Sequence, residues 1–242
     1  MSRQRHCRGA VGYIMTHKNK YVQKVVIVKS PKFPPVNENR VRSLLDKYKC
    51  PVPYHEVRTR FLGSIATPEM ATSPIQVVKG LWGGELPEFE NIDAANDLIG
   101  ALINGLWNSL TRHQKRTEPF KLVRMAVDPT RAGLATFILM RRQEVDGFVE
   151  GLFNGQEDID LPEKASASLD LVAQLRAMLA GAYTLVTDET KPGSDAEFAR
   201  TLKNIQELTP IIEREINTVV MACTIARRQA MQRPNVSGST FH

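Results

Sequence analysis

Apolar positions recur at steps of three and four through most of the chain, a period that reads as α-helix. The clearest run is Ile92, Ala95, Leu98, Ile99, Leu102, Ile103, Leu106 and Leu110, which a helix gathers on one broad face. Asn91 stands where an N-cap belongs, and Asp93 places negative charge in the first turn, against the positive end of the helix dipole. Gly100 and Gly105 interrupt the run. Each costs about 1 kcal/mol relative to alanine in a helix, so close approach of another helix is the expected reason for them. Upstream, Ser73 and Pro74 read as N-cap and first residue of a shorter helix carrying Ile75, Val78 and Leu81. Gly83 and Gly84 end it.

The same period marks the rest of the chain. Val41, Leu44, Leu45 and Tyr48 predict a helix over 38–49, broken by Pro51 and Pro53. Val57, Phe61, Leu62 and Ile65 predict the next, over 54–66. A polar, basic connection runs from Thr111 to Glu118, and 119–127 reads as one more short helix. From Asp128-Pro129 a long helical region carries Leu134, Phe137, Ile138, Val145, Phe148, Val149, Leu152 and Phe153, with Arg141-Arg142 marking a break and Asn154-Gly155 the end. Pro162 opens a helix that turns Leu169, Val172, Leu175, Leu179 and Leu185 inward. Ser194 and Glu197 form a capping box. Phe198, Leu202, Ile205 and Leu208 follow, and Pro210 kinks or restarts the helix with Thr209 as a new cap. Ile212, Ile216, Val219, Val220 and Cys223 make the last face.

Residues 1–28 differ. Residues 11–16 and 21–28 suit two short strands around His17–Lys20, and such a hairpin needs something to pack on. The expected fold is mainly α: a multi-helix array with a small basic N-terminal extension that has room for a β-hairpin. The expected divisions are 1–52 for the extension, 53–232 for the helical domain and 233–242 for a disordered tail.

Two blocks carry a family resemblance. The first is Phe61-Leu62, Ile65, Pro68-Glu69, Pro74, Trp82-Gly83-Gly84-Glu85, Pro87-Glu88-Phe89, the helix after Asn91, and Asn108. The second is Asp146-Gly147-Phe148-Val149-Glu150-Gly151-Leu152. Together they resemble the YecA/YgfB-like family of bacterial proteins. Arg60 stands where that family has a glycine, and no tryptophan precedes the second block. The cysteine-rich, metal-binding tail of some members is missing as well, so metal binding does not carry over. The resemblance implies an all-helical fold and work through protein contacts, with no catalytic residues.

Charge changes the picture more than composition does. Residues 1–60 hold 14 Lys and Arg against Glu38, Asp46 and Glu56, a net of +11, while the remaining 182 residues hold 18 basic and 23 acidic ones, a net of −5. The candidate nucleic-acid contacts are Arg3, Arg5, Arg8, Lys18, Lys20, Lys24, Lys29, Lys32, Arg40 and Arg42, with Tyr13, Tyr21 and Phe33 interleaved. Lysine and arginine bind phosphates without reading sequence, and aromatics stack on unpaired bases. The alternative is a basic surface that serves solubility or faces the acidic helical domain.

Other chemistry is thin. Cys7, Cys50 and Cys223 are too far apart for a disulfide framework or a zinc module. The histidines form no metal-spaced pair, and neither a nucleophile elbow nor a phosphate-binding loop occurs. Gly147, Gly151 and Gly155 are spaced for close helix packing. Trp82, Glu85 and Glu88 are the candidate protein-binding residues, although packing suits Trp82 better and a solvated loop suits the carboxylates better. No apolar run reaches the roughly 18 residues of a membrane span, and the basic start lacks the form of a secretory signal. The expectation is a cytoplasmic, non-enzymatic adaptor without cofactor or membrane, bound to a protein partner; the alternative is an RNA- or ribosome-associated protein that docks through its basic segment.

Overall fold

The computed structural model describes residues 36–68 and 73–232. The hairpin expected over 11–28 and the tail 233–242 lie outside them. The chain divides between Lys32 and Phe33, so the helix at residues 38–47 belongs to the helical unit rather than to the basic extension.

The mainly α class is what the structure shows, and no strand occurs among the described residues. In order come α1 (Glu38–Lys47), α2 (Tyr54–Ala66), α3 (Pro74–Gly80) and α4 (Ile92–Ile99). A π-helical stretch, Gly100–Trp107, leads into the short α5 (Asn108–Leu110) and a 3₁₀ turn, Thr111–Gln114. Three long helices follow: α6 (Arg131–Phe153), α7 (Glu163–Thr187) and α8 (Asp195–Gln232). Two of the caps are those the sequence suggests. Asn91 accepts from the Ala94 N–H at 2.8 Å, and the Ser194–Glu197 box closes with the Glu197 carboxylate on the Ser194 N–H at 2.9 Å.

The tightest contact joins α2, which carries the start of the first resembling block, and α6, which carries the second. Glycines allow it. A Cβ on Gly63 would fall 2.2 Å from the Phe148 carbonyl oxygen, and one on Gly151 would fall 1.9 Å from that of Arg60. Ser64 donates across the gap to the Gly151 carbonyl at 3.0 Å. Phe61, Leu62, Val145, Phe148 and Leu152 are fully buried around this crossing, each contributing about 1.5–3 kcal/mol by leaving water. Gly155, by contrast, meets no neighbour and has φ +81°, so it serves the turn after α6 rather than packing.

Several expectations give way here. Gly100 and Gly105 do not seat a neighbouring helix: a Cβ on Gly100 meets nothing within 4 Å. They lie in the π-helical stretch instead, a wider winding than the α-helix. Arg141-Arg142 breaks nothing, because Arg141 pairs in the core with Glu144 one turn on. On α7 Leu185 is 57% exposed and Val186 is buried in its place. Pro210 sits inside α8, which runs on through it. The proline is on the solvent face, where the carbonyl it leaves without an N–H meets water. Thr209 is therefore a mid-helix residue, its hydroxyl donating to the Ile205 carbonyl at 3.1 Å. Finally, α7 is long and apolar enough to cross a membrane by length and composition; in this fold it packs on α6 and α8 through Val172, Leu175 and Leu179.

Candidate functional site

Residues 119–127, expected to be helical, are not. They form a strap across α6 and α8. Phe120 and Leu122 are buried on one side of it, and Lys121 between them is exposed. The strap has no helical ladder, so side chains serve its backbone, as buried peptide groups require. The Asn217 amide accepts from the Phe120 N–H at 2.7 Å and donates to the Phe120 carbonyl at 3.0 Å. Glu213 accepts from the Leu122 N–H at 2.9 Å, and Glu144 from the Val123 N–H at 2.8 Å. Arg141 donates to the Val123 carbonyl and pairs with Glu144. Burial pushes the Glu144 carboxyl above its ordinary range, and the Arg141 guanidinium pulls against that rise.

The strap also makes one wall of a cleft of about 390 Å³. The other walls are the loop from His113 to Arg116, Lys164 in the first turn of α7, and the stretch of α8 from Pro210 to Ile225. Five cations line it (Lys115, Arg116, Lys121, Lys164 and Arg214) against one carboxylate, that of Glu213. Pro210, Met221, Ala222 and Ile225 supply apolar lining, and Ile225 is 43% exposed. A volume near the lower end of about 300–1,000 Å³ suits a small group or a few side chains.

The partners inside the cleft decide what it can do. Glu213 is buried and already holds Lys121 at 3.1 Å, Arg124 at 2.8 Å and the Leu122 N–H. Lys115 lies 4.0 Å from Glu118, and Arg214 lies 2.7 Å from Glu215. Arg116 and Lys164 have no ion pair among the described residues. His113 makes a 2.8 Å hydrogen bond from Nδ1 to the Glu118 carbonyl. A carbonyl only accepts, so Nδ1 carries the proton. Burial lowers the His113 pKa, opposed by that bond. The Thr218 hydroxyl donates to the Arg214 carbonyl at 2.9 Å. The carboxylate, the imidazole and the hydroxyl are thus all tied to structural partners, and none forms a nucleophile–base pair. What the cleft still offers a visitor is two cations without an ion pair among the described residues and an apolar floor.

The residues singled out from the sequence stand elsewhere. Arg3, Arg5, Arg8, Lys18, Lys20, Lys24, Lys29 and Lys32 lie outside the described residues. Arg40 pairs with Asp97, and Arg42 lies 4.0 Å over the Tyr54 ring. Both are therefore engaged in the helical unit. Trp82 is half-buried, its indole N–H donating to the Tyr48 carbonyl at 2.9 Å, while Glu85 and Glu88 are exposed in the following loop. Trp107 is buried, edge-on to Phe61 with ring centroids 5.4 Å apart. Cys223 is buried, which pushes its thiol up to about 11, and burial raises the Cys50 thiol too. Neither is a ready thiolate. No cluster of three or more His, Cys, Asp or Glu suited to a metal ion occurs among the described residues.

The cleft was missed in the sequence because its cations come from the connection after α5, the strap, α7 and α8. The one local signal was the basic connection Thr111–Glu118. Comparison with known proteins adds no neighbour: no family model, no curated protein and no solved structure matches the chain.

Proposed function

We propose that this chain is a non-enzymatic adaptor that binds another protein, with the cleft beside α8 as its contact. The observation that carries the reading is the division of roles inside the cleft. Its groups with catalytic potential serve the fold, whereas Arg116, Lys164 and the apolar floor are left open. Such a surface favours recognition over chemistry. The resemblance to YecA/YgfB-like proteins, which points to protein contacts, agrees with it. The test is capture of partners by the full-length chain at near-physiological salt, with the Arg116→Glu, Lys164→Glu double variant beside it. A specific protein held by the parent chain and lost from the variant is expected. Recovery of no specific protein would count against the reading.

A second reading keeps one specific observation behind it, the net +11 of residues 1–60. It is docking on RNA or a ribosome through that segment. Its mark is a linear fall of log affinity with log salt. Replacing Arg3, Arg5, Arg8, Lys18, Lys20, Lys24, Lys29 and Lys32 by glutamine in the full chain removes most of that slope if the reading holds. An unchanged slope would sink it.

A further inference from the structure

Building on the adaptor reading, we infer that the occupant of the cleft is an acidic segment of a partner protein that carries a large apolar side chain between its carboxylates. The argument is charge and surface complementarity. Lysine and arginine line the cleft, Glu213 is the one carboxylate in the lining, and Glu118 and Glu215 pair with Lys115 and Arg214 from outside it. Its cations are not equivalent. Lys121 is held by Glu213, while Arg116 and Lys164 have no carboxylate partner among the described residues. These two cations stand ready for two carboxylates, with no existing pair to break.

The floor selects further. Ile225 is 43% exposed, and Met221 lies beside it in the lining. A simple polyanion would leave that apolar surface wet. An acidic stretch with a leucine-sized anchor covers it and gains the removal of that apolar surface from water. RNA fits less well, because no Phe, Tyr or Trp lines the cleft and its one imidazole, His113, is buried, whereas unpaired bases favour exposed aromatic platforms.

The experiment uses the full-length chain and fluorescence anisotropy with four probes. They are a labelled peptide with glutamates flanking a leucine, the same peptide with glutamines for glutamates, the same peptide with serine for leucine, and a single-stranded RNA. The first peptide should bind. The glutamine form should bind at least about tenfold more weakly, the scale of lost charge complementarity. The serine form should be weakened as well, though less. Arg116→Glu with Lys164→Glu should abolish binding of the first peptide. Lys203→Glu, an exposed site outside the cleft, should leave it unchanged. Circular dichroism checks that the variants fold, and Arg116→Gln with Lys164→Gln gives a milder second test. Equal binding of the glutamine peptide overturns the inference, as does binding that ignores both charge variants. Tight RNA binding that the peptide displaces overturns it too. A specific cellular protein partner held regardless of Arg116 and Lys164 would overturn the inference and leave the adaptor reading standing. No specific partner at all would remove both.

Discussion

Replacing Glu213 by alanine should loosen the strap, and the size of the effect follows from its contacts. Glu213 is 2% exposed and accepts from the buried Leu122 N–H at 2.9 Å. Removing the carboxylate leaves that N–H without a partner, a loss of about 1–3 kcal/mol. The ion pairs add less. The Lys121 and Arg124 side chains are 62% and 60% exposed, so water takes over their solvation and each pair contributes about 0–1 kcal/mol. The expected destabilisation is about 2–4 kcal/mol. Glu213→Gln keeps an amide oxygen for Leu122 and loses only the charge, so it should cost about 1 kcal/mol. Urea unfolding reads both values as a shift of the midpoint at constant slope. If Glu213→Ala matches the parent within about 0.5 kcal/mol, or the glutamine variant is as damaging as the alanine one, the account of the strap is wrong.

Three further outcomes follow. Gly151→Ala should destabilise by about 1–3 kcal/mol or more, since its Cβ meets the Arg60 carbonyl at 1.9 Å and neither backbone can yield cheaply; Gly100→Ala, with open space, should be neutral or stabilising by thermal melting. Burial lowers the pKa of both His55 and His113. The unfolded chain therefore binds protons first, so stability is full above about pH 6.5 and falls as pH drops through the depressed folded values. Melting temperature against pH should show that fall, reduced in His113→Asn; a flat profile would contradict it. Glu144→Ala strips Val123 of its acceptor and leaves Arg141 buried without its anion, and about 3–5 kcal/mol of stability should go.

Much of the fold was legible because its signals are local. Pro53 and the apolar spacing after it place α2 at Tyr54–Ala66, and the Asn91 cap and the Ser194–Glu197 box are where they were expected. The failures share a cause of the opposite kind. The strap escapes a local reading because the groups that satisfy its backbone, Asn217, Glu213 and Glu144, are far away in the chain. Arg141 looks like a break until its pairing with Glu144 and its bond to the strap are seen. Pro210 looks like a boundary, yet its outward face and the buried Ile205, Ile212 and Ile216 around it hold the helix together. The cleft was the least legible feature, since no single segment contains more than a part of it.

The adaptor claim is met most directly by photo-crosslinking in cells. A photoreactive amino acid replaces Met221, which lines the cleft, in the full-length chain with and without Arg116→Glu and Lys164→Glu. The account predicts one specific protein adduct, formed through an acidic segment of the partner and lost in the charge-reversed chain. No protein adduct would contradict the adaptor claim; an adduct that forms equally well without the two cations would keep that claim and overturn the acidic occupant.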